Sequence, residues 1–314
     1  MSQALSGRRV LVTGVAGQLG GYLRPALEDA GATVLGVGRE PGPGIDMVAE
    51  LTERADVALV FWGARPHLVI HAAAWTDVDA AERDEAGARA ANVDAARHVA
   101  QSARSCGAHL VAVSTDFVFS GTGGAPYAED APTDPVSAYG RTKRAGEEAV
   151  LAVDPSFAVA RTAWLYGGPG KHFPRTVLSV LRTRGAMEVV ADEAGSPTFA
   201  GDLAVALVAL AATEAGGVFH LTNEGRATRY ELAREVAALA SLDPEMVRPT
   251  TTAAFLAKYP LPAKRPADSE LRNVRAAALG VALRPWPEAL AAYVPVLAAE
   301  SGPGVGDRAP DARG

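Results

Sequence analysis

The residues with the clearest chemical potential are a tyrosine and a lysine four positions apart, in the run Tyr139-Gly-Arg-Thr-Lys143. The run opens a predicted helix after a proline-rich loop, and this spacing places both side chains on one helical face. An ammonium group beside a phenol stabilises the phenolate and lowers the tyrosine pKa, which suits proton exchange with a carbonyl oxygen. By itself, the same spacing also describes an ordinary pair on a helix surface.

A threonine upstream favours the catalytic interpretation. Thr115 lies in the run Ser114-Thr115-Asp116, at the end of a predicted strand. Ligands of open α/β sheets bind at the carboxyl ends of the strands, so the Thr115 hydroxyl is placed to hydrogen-bond a substrate carbonyl. The sequence therefore predicts that Thr115, Tyr139 and Lys143 are the catalytic residues.

A glycine-rich turn near the N-terminus predicts a dinucleotide site. The turn follows one predicted strand and opens the first helix, with its glycines in the pattern Gly-x-x-Gly-x-x-Gly. Glycines let backbone N–H groups approach a diphosphate, and the helix N-terminus adds the positive end of a dipole. The context favours this site over an ordinary turn. Its predicted cofactor-binding residues are Gly14, Gly17, Gln18, Leu19 and Gly20.

The end of the second predicted strand bears on the identity of the cofactor. An acidic residue there would bind the adenosine ribose and favour NAD, whereas this chain has Gly38-Arg39. A guanidinium suits a 2′-phosphate, so Arg39 favours NADPH, with NADH as the other option if Arg39 is simply a solvated loop arginine. Asp46 could reach the adenine, and a simple turn carboxylate is an equal alternative.

The elements that must position these residues are short apolar runs alternating with alanine-rich helical stretches. The apolar runs are continuous, as in strands covered on both faces of a parallel sheet. The predicted strands are Arg9 to Thr13, Thr33 to Val37, His67 to His71, His109 to Ser114, Phe157 to Arg161 and, later, Val218 to Leu221. The helices between them include Gly20 to Ala30, Glu85 to Cys106 and Tyr139 to Val153.

This order predicts an α/β fold, a Rossmann-type doubly wound parallel sheet with a smaller, partly interleaved substrate lobe. We assign residues 1–165 to the dinucleotide-binding domain, with about 200–222 returning to it, and 166–300 to the substrate-binding lobe. Residues 301–314, rich in glycine, proline and charge, are expected to be a disordered tail.

Composition excludes several classes of partner. The net charge is -6 with both signs mixed along the chain, so nucleic acid is not an expected ligand. Cys106 is the only cysteine and is expected to be a small buried residue in a reducing compartment. We see no signal peptide and no apolar run long enough to span a membrane, and so expect a cytoplasmic protein.

Seven stretches resemble the extended short-chain dehydrogenase/reductase family, and most closely its dTDP-4-dehydrorhamnose reductases. The resemblance runs from about residue 9 to about residue 292. The matching stretches are Thr13 to Gly20, His71 to Asp79, Ser114 to Gly121, Tyr139 to Lys143, Arg161 to Gly167, Asp192 to Thr198 and Arg265 to Leu271.

The resemblance implies reduction at C4 of a nucleotide-linked 4-keto-6-deoxysugar by NADPH or NADH. Tyr139 would donate the proton, Lys143 would hold the nicotinamide ribose and tune Tyr139, and Thr115 would orient the ketone. From its chemistry, Arg265 could bind the substrate diphosphate, and an exposed arginine before Pro266 is the alternative. Trp164 could stack beside the sugar, or be a core tryptophan at the end of a strand. The remaining implied contacts are Ala72, Ala73 and Ala74 for the cofactor, and Thr76, Asp116 and Phe117 for the substrate.

Some features depart from the family pattern and leave alternatives open. His71, His172 and Glu193 replace residues that are more usual there, which leaves the exact sugar undecided. Tyr22 stands where some of these reductases have a glutamate that holds magnesium in a dimer, so no metal is expected and a homodimer stays open. Phe117 replaces the glutamate of sugar-nucleotide dehydratases. A nucleotide-sugar epimerase is one alternative, and a non-catalytic subunit resembling the regulatory subunit of methionine adenosyltransferase is another.

Overall fold

The computed structural model describes residues 3–300, and the expected tail at 301–314 lies outside them. These residues form thirteen strands, numbered in chain order: β1 Arg9–Thr13, β2 Thr33–Gly38, β3 Met47–Val48, β4 Leu68–His71, β5 His109–Thr115, β6 Ala158–Thr162, β7 Leu165–Tyr166, β8 Met187–Val190, β9 Ala194–Gly195, β10 Thr198–Phe199, β11 Gly217–His220, β12 Ala227–Thr228 and β13 Val247–Thr250.

Twelve α-helices occur in the same residues, together with one π-helical turn at Ala90–Asp94. The helices are α1 Gly20–Asp29, α2 Arg54–Ala64, α3 Val78–Arg83, α4 Glu85–Arg89, α5 Ala95–Ser105, α6 Ala138–Val153, α7 Phe173–Arg184, α8 Ala200–Thr213, α9 Arg229–Leu239, α10 Thr252–Lys258, α11 Val274–Ala278 and α12 Trp286–Glu300.

Seven strands form one parallel sheet in the order β11-β6-β5-β4-β1-β2-β3. The predicted doubly wound sheet is thus confirmed, and each predicted strand lies within one residue of its position in the structure. The strand order reverses between β1 and β4, which is where such sheets open a crevice for ligands. The later strand β11 pairs with β6, so the chain does return to the sheet as expected.

Helices cover both faces of the sheet, which explains why its strands are apolar on both sides. On one face, α1 and α8 pack through leucines such as Leu23 and Leu207. On the other face, α2, α5 and α6 contribute side chains such as Phe61, Val99 and Val150. The buried layers hold the strands rigidly, so the strand ends can position functional groups.

The second lobe is built from α7, α9 and α12 around their own apolar cluster, which includes Leu178, Leu232 and Leu290. Short paired strands, β7 with β10, β8 with β13 and β9 with β12, accompany this cluster, and each pair contacts α9 or α12. The division at residue 165 stays a prediction.

The helix predicted from Glu85 to Cys106 is present from Glu85 to Ser105, with a π-helical turn at Ala90–Asp94, where the Asn92 side chain bonds both backbone groups of Trp75. One local expectation needs correction. Cys106 was expected to be buried and is exposed, because it follows the last turn of α5 at the surface. Within residues 3–300, no helix is both long and apolar enough to cross a membrane.

Candidate functional site

A large cleft opens at the carboxyl ends of the central strands, with a volume of about 1970 Å³. One wall comes from the glycine-rich turn and the ends of β2 and β4. The floor comes from β5 and α6, and the opposite wall from the second lobe around β8 and α10. The cleft therefore lies at the switch point of the sheet and between the two lobes, where the sequence places its predicted site.

The glycine-rich turn is shaped by close backbone approaches. Gly14 has φ +72°, and a Cβ there would lie 2.7 Å from the Ala73 nitrogen. A Cβ on Gly20 would lie 2.2 Å from the Val15 carbonyl oxygen, so α1 can start only from a glycine. Gly14 and Gly17 line the cleft, whereas Gly20 packs the helix against the turn beneath it.

The other predicted contacts of the dinucleotide follow the same wall. Gln18 and Leu19 line the cleft, and the Gln18 side chain donates a hydrogen bond to the Gly167 carbonyl at 3.3 Å. Ala72, Ala73 and Ala74 line it after β4, with Ala73 held by a 3.3 Å hydrogen bond from its N–H to Thr13. These small side chains leave the wall open to a planar ligand.

The two residues predicted to determine the cofactor preference, Arg39 and Asp46, differ in whether they line the cleft. Arg39 is exposed and lines the cleft, next to Glu40. Asp46 accepts hydrogen bonds from the Gly36 backbone at 2.7 Å and from the Arg24 side chain. The Asp46 carboxylate is thus already partnered and lies away from the cleft lining among residues 3–300.

Helix α6, which carries Tyr139 and Lys143, begins within one residue of its predicted start, because Ser137 caps it and accepts a hydrogen bond from Gly140 N–H at 3.2 Å. A Cβ on Gly140 would lie 2.2 Å from the Phe117 carbonyl oxygen. The glycine therefore lets α6 approach the turn after β5. This approach brings Tyr139 beside Thr115 at the end of the strand.

Tyr139 is almost completely buried, and its ring packs edge-on against Phe117 with centroids 5.5 Å apart. Burial raises the pKa of Tyr139 to about 12, while hydrogen bonding from Thr115 acts in the opposite direction. The lowered tyrosine pKa expected from the sequence is therefore wrong for this structure, because desolvation outweighs the neighbouring groups. At neutral pH the phenol is protonated and can act as an acid.

Lys143 lies one turn further along α6 and is also buried. Its ammonium donates a hydrogen bond to the Val113 carbonyl oxygen at 2.8 Å. Burial lowers the pKa of Lys143 to about 8, and the charge of Glu147 acts to raise it. Because an ammonium has three donors, Lys143 can hold this carbonyl and still donate into the cleft.

Asp116 is buried next to Thr115 and accepts hydrogen bonds from Thr115 at 3.1 Å and from Ser269 at 2.5 Å. Burial raises the pKa of Asp116 to about 6. Ser269 belongs to the segment that follows Arg265, so Asp116 joins the main sheet to the second lobe. The structure brings Thr115, Asp116, Phe117, Tyr139 and Lys143 together on the cleft floor.

The remaining predicted substrate residues lie along the second-lobe side. Trp164 lines the cleft with φ +45°, an uncommon backbone conformation for a large side chain. Arg265 also lines it, but its guanidinium is bound to both oxygens of Asp79, at 3.0 and 2.6 Å. Thr76 lies in the exposed loop before Asp79 and lines the same cleft.

Of His71, His172 and Glu193, which replace residues more usual in the family, Glu193 lines the cleft and the two histidines do not. His71 is buried below the glycine-rich turn, where its Nδ1 lies 2.8 Å from the Thr13 hydroxyl. Burial lowers the pKa of His71 to about 3, so the ring is neutral. His172 caps α7 and bonds the Tyr293 hydroxyl at 2.9 Å. Both histidines have structural roles here.

Arg229, which also lines the cleft, was not predicted from the sequence. Arg229 begins α9, and its guanidinium carbon lies 3.5 Å from the centroid of the Trp164 ring. The capping signal Thr228-x-x-Glu231 could have located the start of the helix, but it does not show that the next side chain points into the cleft.

Comparison with known proteins agrees with this geometry. The family described as the RmlD substrate binding domain matches residues 8–298. A probable dTDP-4,6-dihydroxy-2-methyloxan-3-one 4-ketoreductase from Streptomyces antibioticus is 46% identical, over 94% of this chain and 98% of its own length. A dTDP-4-dehydrorhamnose reductase from Streptomyces griseus is 43% identical, over 94% and 95% respectively.

Solved structures give the same result. The crystal structure of dTDP-4-dehydrorhamnose reductase from Bacillus anthracis in complex with NADP has a TM-score of 0.84 at 33% identity, covering 91% of this chain and 98% of that one. A dTDP-4-dehydrorhamnose reductase structure from Clostridium acetobutylicum has the same TM-score at 35% identity, covering 92% and 99%. The resemblance drawn from the motifs is confirmed, and the chain belongs to the RmlD substrate binding domain family.

Proposed function

We propose that this protein is an NADPH-dependent oxidoreductase that reduces the C4 ketone of a dTDP-linked 4-keto-6-deoxysugar, giving dTDP-rhamnose or a related deoxysugar. The observation that carries the proposal is the convergence of Thr115, Tyr139 and Lys143 on the floor of a cleft that the glycine-rich turn also lines. Similar proteins that are named as reductases of dTDP-linked ketosugars support the choice of substrate class.

The chain offers a suitable seat for a dinucleotide. Gly14 and Gly17 present backbone at the start of α1, where a diphosphate is favoured. Lys143 can donate to the nicotinamide ribose, and Arg39 can pair with a 2′-phosphate, which favours NADPH over NADH. When bound, the cofactor supplies the hydride, and the protein supplies position and a proton.

The proton comes from Tyr139. Because its pKa is about 12, the phenol carries its proton at neutral pH and can deliver it to the oxygen of a reduced ketone. The Thr115 hydroxyl lies beside it and can hydrogen-bond the same oxygen, which fixes the ketone in the reactive orientation. The Lys143 ammonium stabilises the phenolate that remains after the transfer.

The neighbouring residues favour simple reduction over the other reactions of this fold. Phe117 packs on the Tyr139 ring at the position where dehydratases carry an acidic residue, so elimination from the sugar lacks its base. Asp116, Thr76 and Trp164 surround the space for the sugar, and Arg265 lies at the rim on the second-lobe side. The complete catalytic set also favours an enzyme over a purely regulatory subunit.

The test follows the absorbance of NADPH, and separately of NADH, with a dTDP-4-keto-6-deoxysugar prepared both before and after 3,5-epimerisation. We expect NADPH oxidation, with a rate that depends on which of the two sugars is supplied. Oxidation that requires the epimerised sugar assigns dTDP-4-dehydrorhamnose as the substrate. No oxidation with either sugar, in a protein that binds NADPH, would contradict the proposed function.

We also propose that the protein acts in the cytoplasm on a nucleotide sugar and does not bind nucleic acid. A homodimer is a second expectation. The mixed charge pattern and the lone Cys106 support the first statement. Light scattering of the purified protein measures the second, where a mass of one chain would contradict a dimer.

A further inference from the structure

Among residues 3–300, Arg229 is the one arginine whose guanidinium lies over an aromatic ring inside the cleft and has no side-chain hydrogen bond or ion pair with the protein. Its place is fixed by the backbone, since its N–H donates to the Glu193 carbonyl at 3.1 Å and Thr228 caps the helix it begins. Its side chain lines the cleft and is only partly exposed. The fold therefore directs this cation to the interior of the site.

The guanidinium is held flat by aromatic rings. Its carbon lies 3.5 Å from the centroid of the Trp164 ring and 5.2 Å from that of Phe173. A cation on an indole face is stabilised by the ring quadrupole, and stacking leaves the in-plane N–H groups free to donate. The face of Trp164 that would otherwise stack on a sugar is thus covered by Arg229.

The donors of this guanidinium are not used by the protein. No side-chain hydrogen bond or ion pair to Arg229 occurs within residues 3–300, although the carboxylates of Glu193 and Asp116 are near enough to act on its charge. Arg265, by contrast, is bound to Asp79. Because polar groups inside proteins are normally hydrogen-bonded, free donors lining a cleft indicate a partner that arrives with the ligand.

Glu193 provides an acceptor beside these donors. It lines the cleft, and burial raises its pKa while the charges of Arg229 and Arg265 lower it. A guanidinium next to a carboxylate presents donors and acceptors side by side. This combination matches two neighbouring hydroxyl groups, each of which can accept one hydrogen bond and donate another.

We propose that Arg229 and Glu193 form a sugar-recognition pair that binds adjacent hydroxyl groups of the substrate sugar, apart from the ketone held by Thr115 and Tyr139. The inference rests on the proposed function and names the part of the substrate, the sugar hydroxyl groups, that this wall of the cleft binds. A site built to hydrogen-bond hydroxyl groups rejects analogues that lack them, so the pair sets specificity for hydroxylated over further deoxygenated sugars.

The experiment compares the dissociation constants of dTDP, dTDP-rhamnose and NADPH by calorimetry for the wild type and Arg229→Gln. We expect Arg229→Gln to bind dTDP-rhamnose about tenfold to a hundredfold more weakly, as for loss of hydrogen bonds to a charged group. Binding of dTDP and NADPH should change less than about twofold, because neither carries the 6-deoxyhexose whose hydroxyl groups the pair would bind.

Arg234→Gln is the matched control. Arg234 lies on the same helix, and its guanidinium is paired with Glu245 at 2.7 Å, outside the cleft lining. This variant should bind all three ligands like the wild type. Glu193→Met removes the acceptor half of the pair and should weaken dTDP-rhamnose selectively, which provides a second test if Arg229→Gln folds poorly.

Equal losses of binding affinity for dTDP and dTDP-rhamnose in Arg229→Gln would overturn the inference, because Arg229 would then bind the diphosphate or support the fold. Unchanged binding of dTDP-rhamnose would overturn it as well. The proposed function is tested separately, by cofactor oxidation with the wild type. A wild type that binds dTDP-rhamnose selectively through Arg229 but reduces no ketosugar would contradict the reductase and leave the recognition pair standing.

Discussion

Glu147 and Arg161 form a two-pronged ion pair in the interior, with Arg161 Nε 2.8 Å from Glu147 Oε1 and Arg161 Nη2 2.7 Å from Glu147 Oε2. Both side chains are buried, and the Ser114 hydroxyl donates to the same carboxylate at 2.6 Å. The pair ties α6 to β5 and β6 directly behind Thr115 and Lys143. It therefore fixes the distance between the helix and the strand that carry the catalytic groups.

Glu147→Gln should lower the free energy of unfolding by about 3–5 kcal/mol, because it leaves the Arg161 charge buried without a counter-charge. Urea denaturation measures the change. The matched control is Glu148→Gln, since Glu148 is 61% exposed and pairs with Arg144 on the surface. That variant should cost less than about 1 kcal/mol. Equal costs for the two variants would contradict a supporting role for the buried pair.

The pH dependence of kcat/KM should follow Lys143. Its folded pKa is about 8, so the ammonium is present below that pH and is lost as the pH rises through it. We expect kcat/KM for the ketosugar to fall above about pH 8, since this parameter reports the groups of the free enzyme. Tyr139, with a pKa of about 12, stays protonated throughout. A profile that stays level to about pH 10 would contradict the role given to Lys143.

Arg39→Gln should weaken NADPH binding about tenfold and leave NADH binding unchanged, because only NADPH carries the 2′-phosphate that a guanidinium can pair with. Fluorescence titration with each cofactor measures the two affinities. Glu40→Gln serves as the control at the adjacent position, which also lines the cleft, and should not weaken NADPH. If Arg39→Gln weakens the two cofactors equally, the preference for NADPH has another origin.

Gly14→Ala should destabilise the protein more than Gly7→Ala, although both glycines have φ +72°. Both variants place a side chain in the left-handed region, at a cost of about 1–2 kcal/mol. A Cβ on Gly7 meets no atom of residues 3–300 within 4 Å, whereas one on Gly14 lies 2.7 Å from the Ala73 nitrogen. Thermal unfolding and NADPH titration should both separate the variants. Identical behaviour would show that the close approach at Gly14 has no consequence.

The fold and the catalytic floor were predictable because their signals are local. Apolar runs of strand length, the Gly14 turn and the spacing of Tyr139 and Lys143 each follow from a few neighbouring residues, and the parallel sheet then brings the strand ends together. The π-helical turn inside the helix predicted from Glu85 to Cys106 was not predicted, because the Asn92 side chain bonds Trp75, 17 positions away, and no local pattern shows that contact.

The charged partners could not be predicted in the same way. Arg265 pairs with Asp79, 186 positions away in the chain, and Arg161 pairs with Glu147, 14 positions away. Arg229 lies over the ring of Trp164, 65 positions away. Local patterns do not encode which of these distant residues meet. The pKa of Tyr139 was misjudged for a related reason, since the sequence shows the neighbouring Lys143 and does not show the burial that raises the pKa.

Tyr139 is proposed to deliver the proton in ketone reduction. The decisive test of this role is NADPH oxidation by Tyr139→Phe under single-turnover conditions with the dTDP-4-keto-6-deoxysugar. Tyr127→Phe is the control, because the buried Tyr127 hydroxyl has no hydrogen-bond partner in the part of the chain that the structure describes. We predict a rate at least about a hundredfold below wild type for Tyr139→Phe, with NADPH binding retained, and a normal rate for Tyr127→Phe. A near-normal rate for Tyr139→Phe would contradict the account.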